Sequence, residues 1–175
     1  MIRVLAISGS LRQRSLNTAL IKSAAHLTPQ GMEIEVYEGI GKLPLFNPDL
    51  EGFEPPSVLD FRNQLKRSSG VLISSPEYAH GVTGVLKNAL DWVVGSGEFA
   101  DKPVCLINTS SRSTIAFESL KEILKTMDAK IVNDASMVVG LPHNITKEEI
   151  LEHSNIRSQL ICSLIAFADR IFPVQ

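Results

Sequence analysis

The sequence has no histidine pair at metal-ligating spacing, no cysteine framework and no apolar run long enough to cross a membrane. Its four histidines, His26, His80, His143 and His153, form neither His-x-x-x-His nor His-x-x-Glu-His. That leaves no residue set expected to hold a metal. Two cysteines, Cys105 and Cys162, are too few for a disulfide scaffold. Both fall in apolar or helical patterns, where a thiol is expected as a small buried hydrophobe. A basic excess is missing as well. The net charge is −2, whereas nucleic-acid-binding domains are usually basic. The opening residues MIRVLAISGS break their apolar run at Arg3, which fits neither a secretion signal nor a membrane span. Without such a signal, the Asn-x-Ser/Thr triplets at Asn108 and Asn144 carry no meaning. The expectation is a cytoplasmic protein of one domain over residues 1–175, without nucleic-acid or membrane partners.

What is present is alternation. Ile2–Ser8 is a nearly continuous apolar run, the mark of a strand covered on both faces. Residues 15–28 then carry Leu16, Ala19, Leu20, Ala24 and Leu27 at helical spacing. Glu33–Glu38 alternates acidic and apolar residues, as a strand at or near a sheet edge would. Residues 39–56 contain Pro44, Pro48, Pro55 and Pro56 and predict a long loop. A helix at 57–68, a strand at 70–75, a helix carrying Leu86, Ala89, Leu90 and Val93, and a strand at 103–109 follow. Phe117, Leu120, Ile123, Leu124 and Met127 mark the next helix, and 130–139 the fifth strand. Thr146 and Glu149 spell a capping box, with Ile145 and Ile150 placed as a hydrophobic staple. One helix is expected from there through Leu160, Ile161, Leu164, Phe167, Ala168 and Ile171.

Strands and helices in strict alternation imply an α/β fold, a doubly wound parallel sheet with helices on both faces. Such sheets bind ligands beyond the carboxyl ends of their strands, where the strand order switches. The loop after the first strand reads SGSLRQRSLNTAL. It has neither the spaced glycines of a dinucleotide fingerprint nor a Gly-Lys-Ser/Thr triplet. Its serines, Asn17, Arg12 and Arg14 suit an anion at a helix start, and serines at helix starts are equally ordinary caps. The loop after the third strand reads SPEYAHGVTG. Pro76 holds Ser75 extended, and Gly81 and Gly84 let the backbone approach a ligand closely. An ordinary connecting turn is the competing account.

Together, Gly-Ser-Leu-Arg-x-x-Ser-x-Asn at 9–17 and Ser-Pro-Glu-Tyr…Gly-Val-Leu-Lys-Asn-Ala-Leu-Asp-Trp at 75–92 resemble the NADPH-dependent FMN reductase family. The resemblance implies a flavodoxin-like, five-stranded sheet of order 2-1-3-4-5. It implies that Ser10, Arg12, Ser15, Leu16 and Asn17 surround an FMN phosphate. It places Pro76, Glu77, Tyr78, Ala79, His80 and Gly81 along the flavin ring, with a hydroxyl of Thr109, Ser110 or Ser113 serving at its pyrimidine end. Lys87, Asn88, Asp91 and Trp92 match the family's helix signature, in a structural role or as part of a subunit contact. The sequence departs from many relatives at Ala79 (often Asn), at Thr83 (often Pro) and in the glycine-free run Asn108–Ser113. Arg112 is a candidate for a dinucleotide phosphate, for an inter-subunit pair, or for plain solvation.

The implied activity is ping-pong electron transfer from NADPH or NADH through FMN to a small acceptor. That acceptor would be a quinone, free flavin, an azo compound or an oxidised metal ion, and the protein a homodimer or homotetramer. No acid–base residue is required, so none is assigned a catalytic role. The alternative is a flavodoxin-type electron carrier, for which a strongly acidic docking surface would be expected.

Overall fold

The computed structural model describes residues 1–172 of the chain. The central sheet is built from β1 (Ile2–Ser8), β2 (Met32–Val36), β3 (Gly70–Ser74), β6 (Pro103–Asn108), β7 (Lys130–Ile131) and β8 (Met137–Val138). All its pairings are parallel, and the order is β2-β1-β3-β6-β7, with β8 also on β6. A separate antiparallel hairpin joins β4 (Glu77–Tyr78) and β5 (Gly81–Val82). The helices are α1 (Leu16–His26), α2 (Pro56–Arg67), α3 (Gly84–Val94), α4 (Thr114–Thr126), α5 (Lys147–Glu152) and α6 (Ser154–Ile171).

The continuous apolar strands are explained by burial on both sides. Leu5, Ile7, Val71, Ile73, Val104 and Leu106 face one core, which α2, α3 and α4 close with Phe61, Leu65, Leu86, Leu90 and Leu124. The alternate residues Val4, Ala6, Leu72, Cys105 and Ile107 face the other, closed by α1, α5 and α6. Period-two alternation of side chains along a strand makes this division unavoidable. β2 forms one edge of the sheet, and its Glu33 is exposed while Arg3 of β1 pairs with Glu35. The wetter pattern read there reflects that position.

Four expectations need correction. The fifth strand is two short pieces, because the turn formers Asn133 and Asp134 lie between them. Ser136 Oγ donates to Val132 O and accepts from Leu106 N, replacing the missing ladder bond on β6. The last helix is two helices, α5 and α6, jointed at His153, whose ψ of 99° lies outside the helical region. Its start does carry the capping box, with Thr146 and Glu149 bonded reciprocally. Cys105 is buried and burial pushes its thiol up to about 12, but Cys162 is exposed on α6. Trp92 is 5% exposed and cannot offer a subunit contact. Its indole N–H donates to Pro44 O, and Phe46 packs edge-on against its ring. Asn88 takes the Phe46 N–H and donates to Pro44 O, so α3 pins the 39–56 loop at Pro44 and Phe46.

Candidate functional site

Three loops meet at the carboxyl ends of β1, β3 and β6, on both sides of the point where the chain switches direction across the sheet. Asn17 ties them together. It is 4% exposed, and its Oδ1 accepts from Ser74 Oγ at 2.8 Å and from Thr109 Oγ1 at 3.3 Å. One side chain of the first loop therefore fixes the ends of β3 and β6. Gly9 marks a close approach of the loops after β1 and β3. A Cβ there would stand 2.3 Å from Ser75 Oγ and 2.7 Å from Ser75 Cβ, so no side chain fits.

Within the first loop, Ser15 is the N-cap of α1 and its Oγ accepts from Thr18 N. Ser8 Oγ meets Thr18 Oγ1 at 2.7 Å, and Ser10 Oγ accepts from Arg12 N at 3.3 Å. The amides of Arg14, Leu16 and Asn17 have no acceptor among the described residues. Neither Arg12 nor Arg14 has a carboxylate within 4.0 Å among those residues. Unengaged amides at a helix start, beside two uncompensated guanidiniums, make a fitting cradle for a phosphate ester.

The start of α4 is different. Ser113 makes no side-chain cap, and Glu77 reaches across from β4 so that Ala116 N donates to its Oε2 at 2.9 Å. That hydrogen bond, with help from His80 at 3.0 Å, holds the Glu77 carboxyl below the usual carboxylate range. An internal carboxylate already serves the α4 terminus, while the α1 terminus stays available for an external anion. A depressed folded pKa gives stability that is present above the ordinary carboxylate value, about 4.3, and is lost as pH falls through the lower folded value. Glu77→Gln keeps an acceptor for Ala116 but loses the charge. Its melting temperature is expected below wild type at about pH 6, with the gap closing toward about pH 3; thermal melts across that range check it.

The β4–β5 hairpin presents Tyr78, Ala79 and His80 outward. Ala79 and His80 both adopt left-handed backbone, φ 49° and 57°, as a type I′ turn demands. Such turns favour Asn and Gly, so the fold holds these two residues against local preference. Tyr78 is 58% exposed, Pro76 and Gly81 are half-buried, and the hairpin forms an open shelf rather than a cavity. Ser110 stands across from it in the third loop. There Asn108 Oδ1 accepts from Ser110 N, and Ser110 Oγ accepts from Arg112 N. These bonds hold the glycine-free run in a tight turn.

The structure thus gathers the residues from 10–17, 76–81 and 110 on one edge, but gives Glu77 a role that the sequence did not signal. It also adds Thr83. This residue is 4% exposed, precedes α3, and has the one buried side-chain polar atom without a hydrogen-bond partner among the described residues. Its Oγ1 lies 3.1 Å from where a Cβ of Gly9 would be, where the loop after β1 meets the β3–α3 connection. The only sequence signal was its departure from the family pattern. Among the described residues no cluster of metal-ligating side chains occurs.

Comparison with known proteins agrees with this geometry. The NADPH-dependent FMN reductase family model matches residues 2–143. An NAD(P)H-dependent FMN reductase of Pseudomonas aeruginosa is 37% identical over 150 residues, covering 82% of this chain and 80% of that protein. A quinone reductase of Escherichia coli is 34% identical over 152 residues, with the same coverage of 82% and 80%. Among solved structures, the flavoenzyme NAD(P)H:(acceptor) oxidoreductase of Paracoccus denitrificans superposes with a TM-score of 0.80 at 25% identity, over 97% of this chain and 98% of that one. With a sheet of this order, an open helix terminus at its switch point and relatives of this kind, the chain belongs to the NADPH-dependent FMN reductase family, oxidoreductases that use FMN and NAD(P)H.

Proposed function

We propose that this chain passes electrons from NAD(P)H through FMN to a small acceptor of the quinone class, in a ping-pong sequence. The observation that carries the reading is the contrast between the two helix starts: Glu77 serves α4, while α1 faces the loop of Arg12 with its amides unengaged. The amides of Leu16 and Asn17, the hydroxyls of Ser10 and Ser15 and the Arg12 guanidinium would hold the FMN phosphate. Pro76–Gly81 would back the flavin ring, and Ser110 would face its pyrimidine end. Bound FMN supplies the exchange of electrons between donor and acceptor.

The remaining roles belong to the protein. Asn17 fixes the spacing of the three loops, and Glu77 anchors the shelf to α4. The shelf is open enough for donor and acceptor to occupy the same face in turn, which supports the ping-pong order. His80 is oriented by Glu77 and stands exposed beside the shelf, where it would orient the acceptor. Free flavin, azo compounds and oxidised metal ions are further acceptors of the same reading.

The proposed protein is a cytoplasmic, single FMN-binding domain over residues 1–175 that associates with itself as a homodimer or homotetramer. Two unpaired thiols support a reducing compartment. No helix among the described residues is long and apolar enough to cross a membrane.

The test is a flavin titration followed by anaerobic NADPH. Wild type should take up FMN, and the flavin band should bleach when NADPH is added. Arg12→Gln should bind FMN about tenfold to a hundredfold more weakly, the worth of one charge-assisted hydrogen bond to phosphate. Binding without bleaching would favour an electron carrier; no binding would sink the flavin reading.

A further inference from the structure

A cationic cavity adjoins the loop proposed to hold the FMN phosphate. A cavity of about 440 Å³ runs along α1 to residues 144–147, a size that suits a small ligand. It is lined by Arg14, Lys22 and Lys147, and by no carboxylate residue. None of these three cations has a carboxylate within 4.0 Å among the described residues. On the facing segment Glu148 is exposed and outside the lining, and Glu149 is turned back onto Thr146 N at 2.7 Å.

The convergence is built into the helices. Arg14 lies just before the Ser15 N-cap of α1 and Lys22 lies on the helix itself, and both line the cavity. Lys147 opens α5, and its carbonyl accepts from Ser23 Oγ on α1, which keeps the two elements in register. Ala19 and Ile145 add an apolar wall between the charges. Three like charges around one cavity repel one another, and an anion relieves that repulsion. A phosphate flanked by a flat apolar group matches both parts of the lining.

We propose that this cavity receives the 2′-phosphate and adenosine of NADPH. The inference rests on the proposed flavin placement. With the ring along 76–81 and its phosphate at 10–17, the flavin points toward Ser15, the residue shared by the phosphate loop and the cavity. A dinucleotide with its nicotinamide at the ring and running the same way carries its adenosine past Ser15. The helical rise puts Lys22 about 10 Å beyond that residue, leaving room for a nucleoside. The 2′-phosphate is all that separates NADPH from NADH, so Arg14, Lys22 and Lys147 set the preference between them.

The experiment titrates FMN-loaded protein with 2′,5′-ADP and with 5′-AMP by calorimetry, in wild type and in the Lys22→Gln/Lys147→Gln variant. Wild type should bind 2′,5′-ADP about tenfold or more tighter than 5′-AMP, a difference the variant loses. The variant should also raise the KM for NADPH about tenfold and leave that for NADH unchanged. Equal binding of the two probes by wild type would overturn the inference. So would KM values for NADPH and NADH that move together. Loss of 2′,5′-ADP binding with an unchanged KM for NADPH would assign the cavity to a free nucleotide and overturn it equally. The flavin absorbance separates the two readings: FMN retained without 2′-phosphate discrimination sinks only this proposal, while failure to hold FMN sinks the flavin reading beneath it.

Discussion

Asn17→Ala is expected to lower the folding stability by about 2–3 kcal/mol and to abolish measurable flavin uptake at micromolar protein. The first effect follows from two hydroxyls. Ser74 Oγ and Thr109 Oγ1 both donate to Asn17 Oδ1 in a buried setting, and each loses its acceptor when the amide is removed. An orphaned buried donor costs about 1–3 kcal/mol, and the longer Thr109 bond contributes the smaller share. The second effect follows from geometry, since the ends of β1, β3 and β6 are no longer held at one spacing. Asn17→Asp separates the two. It keeps both acceptor bonds and places a negative charge in the first turn of α1, which the helix dipole tolerates. That variant should lose less stability than Asn17→Ala and still fail to bind FMN, because a carboxylate would then face the proposed phosphate position. Denaturant melts and flavin titration of both variants decide the matter. An Asn17→Asp protein that binds FMN normally would show that the phosphate lies elsewhere.

Arg62→Met is expected to be more damaging still, by about 3–5 kcal/mol, without touching the site. Arg62 Nε donates to Glu98 Oε1 at 2.8 Å and Nη1 to Glu54 Oε1 at 2.7 Å. The Glu98 side chain has no exposure, and Lys66 stands only at 3.7 Å. Burial works against its ionisation, but hydrogen bonds from Ser96 and Arg62 outweigh it and leave the carboxyl below its usual range. Removing the guanidinium strands a buried charge, the costly half of a broken buried pair. Replacing both partners, as Arg62→Met/Glu98→Leu, should recover most of the loss. Urea melts of the single and double variants measure both effects. A single variant within about 1 kcal/mol of wild type would mean that Lys66 and Ser96 suffice to hold the charge.

The sequence made the architecture legible because its cause is local. Doubly buried strands such as Ile2–Ser8 must be apolar throughout, and α4 repeats its apolar residues at helical spacing wherever it covers the sheet. The edge position of β2 was visible in its acidic alternation. What stayed hidden depended on distant partners. Glu77 looks like a solvated loop acid until α4, almost forty residues later, brings Ala116 N to it. Trp92 looks available for a subunit contact until Pro44 and Phe46 fold over it. The break at His153 carries no proline or glycine, so helical periodicity runs straight through it. The interruption of the fifth strand had a local signal in Asn133 and Asp134, outweighed by the apolar residues on either side.

The two outer strands of the sheet carry a further consequence. A sheet grows by pairing its free border with another extended chain. Here one border is β2, whose Glu33 and Glu35 would confront the same carboxylates of an incoming copy, and the other is β7 and β8, each only two residues long, with β7 headed by Lys130. Neither offers the long uncharged rim on which fibrils or swapped assemblies start. The borders of the sheet therefore discourage pairing between copies of this chain.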